Sequence, residues 1–146
     1  YRRQRQMCIR DRRLEMGFPL NGSDLSPDHT PIEAGLSRFV SLRKKDGSTF
    51  PGSAALAAQL STGPSRCLCG IVLSGKTPPP RPHYNVIHAG RVIGETTSGN
   101  LSPTLKRGIA LAYLPMNLAA LGTLLEIDIR GTCFPAEVCK TPFLPR

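Results

Sequence analysis

Tryptophan is absent from this sequence, and aromatic residues of all kinds make up only 5% of it. A groove for single-stranded nucleic acid needs exposed aromatics interleaved with basic residues. The scarcity therefore argues against a nucleic-acid-binding barrel, despite a net charge of +9. No stretch of about 18 apolar residues occurs, so no helical membrane span is expected. The cysteines number five, an odd count without a short-loop framework. That argues against a secreted disulfide scaffold and makes reduced thiols, in a cytoplasmic or mitochondrial-matrix setting, the expectation. A charged share of 20% is too low for a disordered chain, while a hydrophobic share of 40% suits a packed core. No internal repeat is visible.

Charge is spread unevenly. Residues 1–13 hold six Arg against one Asp (Asp11), and the remainder has thirteen basic against nine acidic residues. A basic tail suits nucleic acid or an anionic membrane. This one lacks the Ser and the amphipathic spacing of a targeting segment. Residues 1–12 are expected to be a tail that does not belong to the natural protein. The chain starts at Tyr1 rather than Met, and its 146 residues read as a small domain plus part of another.

The pattern along the chain divides at Ser61-Thr62-Gly63-Pro64-Ser65, the best linker. Before it, Asn21-Gly22-Ser23-Asp24 and Ser26-Pro27-Asp28 are turn chemistry, and Ser53 to Leu60 is rich in helix formers. After it the period shortens. Cys67 to Leu73 is an apolar run of strand length, and Ala89-Gly90 joins two short strands as a hairpin. Thr77 to Pro82, with four prolines, must be extended and off any ladder. Gly108 to Leu114 reads as a strand buried on both faces, and Leu125, Ile127 and Ile129 alternate with polar residues. Phe134, Ala136 and Val138 do the same after Gly131. Residues 66–141 thus give about six short strands, an antiparallel barrel or sandwich.

The densest motif is Glu95-Thr96-Thr97-Ser98-Gly99-Asn100-Leu101-Ser102-Pro103-Thr104-Leu105. Its residues predict a strand end and a polar turn, with Gly99 at positive φ and Ser98 and Ser102 bonding the turn backbone. Pro103 keeps the chain off a ladder there. The run closely resembles the Thr-Ser-Gly-x-x-Ser-Pro-Thr-Leu signature of the glycine cleavage T protein, a folate-dependent aminomethyltransferase family. A second block, Arg13-Leu14-Glu15-Met16-Gly17 through Gly22-Ser23-Asp24, followed by Thr30-Pro31-Ile32-Glu33-Ala34-Gly35-Leu36, is similar to the same family. A third, Ile129-Arg130-Gly131 to Phe143, resembles its closing hairpin.

The resemblance implies an α+β architecture. A last segment of the folate-binding core (13–61) would precede a six-stranded, Greek-key-like C-terminal β-barrel (62–146). It implies tetrahydrofolate as co-substrate, the lipoylated H protein as partner, and no metal. It also places the family's catalytic Asp upstream, with no counterpart here. By the same resemblance Glu15 is the folate-binding carboxylate, which would accept two parallel N–H bonds from the pterin edge. An Arg of the family falls near Lys44, where this chain has Arg43-Lys44, so either side chain would face the glutamyl tail. Arg146 lies where some members place a terminal basic residue beside the folate.

Other candidates read differently. Cys67-Leu68-Cys69 shares one strand face, without the second pair that zinc needs. His29, His83 and His88 have no metal spacing. Arg81, after three prolines, reads as a barrel-loop residue or a rigidly presented ligand for an SH3-like module. Tyr113 and Phe143 read as barrel packing. Two readings stay open beside the T protein. One is another folate-dependent relative, such as the C-terminal part of a sarcosine or dimethylglycine dehydrogenase, a demethylase, or a tRNA-modification folate protein. The other is a basic nucleic-acid-binding barrel.

Overall fold

Six antiparallel strands close into a barrel in the order β1-β4-β3-β2-β5-β6. They are β1 (Arg66–Leu73), β2 (Asn85–His88), β3 (Arg91–Leu101), β4 (Gly108–Pro115), β5 (Leu124–Ile129) and β6 (Thr132–Cys139). Two helices, α1 (Arg2–Glu15) and α2 (Ser53–Thr62), precede them. The computed structural model describes residues 2–42 and 47–144, and side chains from residue 9 onward. The order is a Greek key: β2, β3 and β4 form a meander, and β1 returns beside β4.

Alternation builds the core. Ile71 and Leu73 of β1, Ala110, Ala112 and Leu114 of β4, and Ile127 of β5 fill the barrel interior. The intervening residues of β4 face outward, yet they are buried too. Ile109 and Leu111 pack with Leu14 of α1 and with Leu68, Val72, Leu105 and Phe143. The double burial expected of Gly108–Leu114 arises because the N-terminal segment covers the outer face of β4. Tyr113 lies on that same face, so it packs the outside of the barrel rather than the inside. Its ring stacks on His29 at 3.8 Å.

Two tight hairpins match their sequence signals. Ala89-Gly90 joins β2 to β3 and Arg130-Gly131 joins β5 to β6, each pair with both residues at positive φ. The predicted helix appears as α2, capped at its end by Gly63 at φ 82. It takes in Ser61 and Thr62, so the linker shortens to three residues. α1 runs unbroken through residues 12 and 13, the boundary at which the sequence suggests a tail.

One expectation is corrected. Gly99 does not turn the chain. β3 continues to Leu101, and the turn falls at Ser102–Arg107, where Lys106 takes the positive φ of 57. Gly99 serves a close approach instead. A Cβ there would meet the Pro80 carbonyl carbon at 2.9 Å, because the proline-rich strap from β1 to β2 lies across it.

Candidate functional site

Two of the three blocks of resemblance, the Arg-Leu-Glu segment and the Thr-Ser-Gly to Ser-Pro-Thr-Leu run, meet on the outer face of β3 and β4. α1 presents Asp11, Leu14 and Glu15 to the sheet, spaced by three and four residues so that they share one helix face. Leu14 supplies the apolar contact with Ile109 and Leu111. Asp11 accepts a bond from Asn100 Nδ2 at 2.6 Å. Glu15 is buried, and its Oε1 accepts the Ser102 hydroxyl and the Thr104 backbone N–H, the latter at 3.1 Å. Ser102 Oγ in turn accepts the Leu105 N–H at 3.0 Å. The Ser-Pro-Thr-Leu turn is therefore closed around a carboxylate 87 residues away in sequence. Burial pushes the Glu15 pKa up, but the bonds from Ser102 and Thr104 outweigh it and hold the group below its ordinary value.

Asp24 is the centre of the second cluster. Its Oδ2 accepts Arg13 Nη1 at 2.7 Å, the Leu20 N–H at 2.7 Å and the Ser98 hydroxyl at 2.9 Å. Its Oδ1 accepts the Thr97 hydroxyl at 2.5 Å, and its backbone carbonyl accepts Tyr113 OH at 2.8 Å. Arg13 Nη2 also reaches Ser98 Oγ at 2.9 Å. Consecutive side chains of a regular strand face opposite sides. Thr97 and Ser98 both reach Asp24 because the β3–β4 register slips between Thr96 and Ser98. The bulge adds a residue and re-aims its side chain.

A third contact fixes the Thr-Pro-Ile-Glu block. Glu33 Oε2 accepts the Thr30 N–H at 2.9 Å while the Glu33 N–H reaches Thr30 Oγ1 at 3.2 Å, a reciprocal box. Glu33 Oε1 then takes Arg66 Nε at 3.2 Å, and the Glu33 carbonyl takes the Leu68 N–H at 2.8 Å, which docks the segment on β1.

Of the residues expected to bind ligand, Glu15 is well placed to be judged. Arg43, Lys44 and Arg146 lie outside the described residues. Glu15 points into the fold and not into solvent. Arg81 is exposed and lines a cavity of about 200 Å³ with Arg10, Asp11, Arg13, Ser98 and Asn100. Asp24, Thr97 and Ser98 stand in the sequence as turn and strand residues of the resembling motifs, without a ligand or clamping role. Their partnership depends on a bulge and on a contact across 73 residues, and no local signal carries either. Cys67 and Cys69 share a face as expected, with their sulfurs 3.4 Å apart.

Comparison with known proteins agrees with this arrangement. The model of the glycine cleavage T-protein C-terminal barrel domain matches residues 66–144. The aminomethyltransferase of Moorella thermoacetica is 46% identical over 134 residues, which span 92% of this chain and 36% of that protein. That of Streptomyces coelicolor is 46% identical over 143 residues, 95% of this chain and 38% of the relative. The crystal structure of glycine cleavage system aminomethyltransferase T from Bartonella henselae superposes with a TM-score of 0.82 at 32% identity, over 92% of this chain and 37% of that one. The chain thus spans roughly a third of the length of the relatives it matches. With the barrel-domain model matched over residues 66–144 and the fold superposing over nearly the whole chain, the chain belongs to the glycine cleavage T-protein family and corresponds to a C-terminal portion that includes the barrel domain.

Proposed function

We propose that this chain is the C-terminal part of an aminomethyltransferase of the glycine cleavage system. The reaction splits the aminomethyl group carried on the lipoyl arm of the H protein. Ammonia leaves, and the one-carbon unit passes to tetrahydrofolate. The share of the work assigned to this segment is binding and positioning. The acid that the resemblance makes catalytic belongs to sequence upstream of these residues. A cytoplasmic setting, or the matrix in a eukaryote, goes with this reading.

One observation carries the proposal. The two blocks that resemble the family, remote in sequence, converge on Glu15, whose carboxylate is held ionised and fixed in direction by Ser102 and Thr104. The Ser102 hydroxyl and the Thr104 N–H both fall on Oε1, the Thr104 side chain adds to the hold, and Oε2 is the oxygen proposed to meet a pterin N–H. The Phe143 N–H donates to the Glu15 carbonyl at 2.9 Å, which anchors the chain three residues before Arg146. Arg43 or Lys44 is proposed to face a carboxylate of the glutamyl tail, and Arg146 to lie beside the folate.

The test is formation of methylene-tetrahydrofolate from aminomethylated H protein by the protein that carries this segment. Turnover that requires both tetrahydrofolate and the loaded lipoyl arm is expected. Tetrahydrofolate-independent turnover, or turnover with a free methylamine in place of the carrier, contradicts the proposal.

A further inference from the structure

The barrel carries a pair of thiols that the folate reading does not use. Cys67 and Cys69 lie two residues apart on β1, and their side chains point into the same end of the barrel. Their sulfurs are 3.4 Å apart and unbonded. Cys67 is half-buried, with reach to solvent, while Cys69 is buried behind it. A strand advances about 3.3 Å per residue, which sets the two Cα atoms near the upper limit of disulfide geometry. A bond between them is within reach and is easily reduced, as regulatory disulfides are.

We propose that Cys67 and Cys69 form a reversible, peroxide-oxidised dithiol site, in which Cys67 is the attacking sulfur and Cys69 the resolving one. The Cys67 thiolate attacks a peroxide oxygen. The O–O bond breaks, hydroxide leaves and takes up a proton, and Cys67 becomes a sulfenic acid. The Cys69 sulfur then attacks the Cys67 sulfur. The S–O bond breaks, a disulfide forms, and the Cys69 proton leaves with the departing oxygen as water. Two thiols are oxidised, and one peroxide is reduced to two waters.

The environment assigns the roles. A hydrogen bond from Cys69 holds the Cys67 pKa below the ordinary thiol value, which favours its thiolate. Cys69 is pushed up by its bond to Cys67, by burial and by the charges of Cys67 and Cys139. Once Cys67 is a neutral sulfenic acid, the charge that held the Cys69 proton is gone, and the second step is released. Cys139 is pushed up to about 11 by burial and by Glu137, which keeps it a poor competitor.

The test is peptide mass spectrometry of the intact chain after a brief, sub-stoichiometric hydrogen peroxide pulse and alkylation. Trypsin releases Cys67–Lys76, which holds both cysteines and no other. That peptide is expected to appear two hydrogens lighter, and to regain both alkylation sites after a dithiol reductant. Cys69→Ser is expected to leave a dimedone-trappable sulfenic acid on Cys67. Should that variant misfold, the wild-type rate of iodoacetamide labelling decides instead. At neutral pH Cys67 is expected to react at least tenfold faster than exposed Cys133. Equal labelling of Cys67 and Cys133, or oxidation that joins Cys67 to any partner but Cys69, overturns the proposal.

Discussion

Asp24 sits in a short polar turn, where sequence suggests an exposed residue that bonds its own backbone. Its side chain is instead fully buried and paired with Arg13, which keeps 18% of its own side chain exposed. Removing one partner of a buried pair leaves the other charge uncompensated, a cost of about 3–5 kcal/mol. Asp24→Ala is therefore expected to lower stability by several kcal/mol in urea unfolding followed by circular dichroism. A loss below about 1 kcal/mol, the size of a surface pair, contradicts a clamping role. Glu15 makes a prediction about pH. Its pKa is lowered on folding, so its contribution is complete above the unfolded value near 4.5 and is lost as pH falls through the folded value. Glu33 behaves alike: burial raises its pKa, and Thr30, Arg66 and His29 more than offset that. Glu15→Gln is expected to be less stable than the parent at neutral pH, with the gap narrowing below about pH 4.5. A gap that does not change with pH contradicts the ionised, hydrogen-bonded state. At this scale the resemblance singles out Glu15 as a ligand carboxylate, and the sequence gives no sign of the buried clamp at Asp24. The reason is physical: a turn residue's propensity is local, while its burial is decided by which strand packs over it.

Among the elements, those with strong periodicity were legible. Leu125, Ile127 and Ile129 are all buried on β5, and the Ala89-Gly90 and Arg130-Gly131 turns fall where their residues demand. The β3–β4 connection was displaced. Ser98-Gly99-Asn100 has the composition of a turn, but the Pro80 strap crosses β3 there and leaves no space for a side chain. The glycine answers to a neighbour 19 residues away rather than to its own φ. A Cβ at position 99 meets backbone, which cannot swing aside as a flexible side chain can. Gly99→Ala is expected to cost about 1–3 kcal/mol, the range for overpacking in a filled site, read as a lowered thermal midpoint. An unchanged midpoint contradicts the strap's close contact. The bulge that gathers Thr97 and Ser98 onto Asp24 was invisible for the same reason, since register is set by pairing partners and not by the strand alone.

The molecule as a whole is a barrel with its outer β4 face roofed by the N-terminal segment. Arg13, Leu14 and Glu15, Asp24 and Glu33 each fasten that roof at a different point. This makes the segment and the barrel one packed unit, although the sequence changes character between them. The all-β character of residues 66–141 was readable because alternation and turn chemistry agree there, while the Greek-key barrel came from the family resemblance. The roof was not, because its contacts are single polar residues at long range. In this account the roof holds one carboxylate at a fixed angle for a pterin supplied from outside the segment. The most direct measurement is the tetrahydrofolate dissociation constant of the protein that carries this segment, compared with its Glu15→Gln variant. Circular dichroism would confirm that the variant remains folded. The account predicts affinity weakened tenfold or more in the folded variant; an unchanged dissociation constant would contradict it.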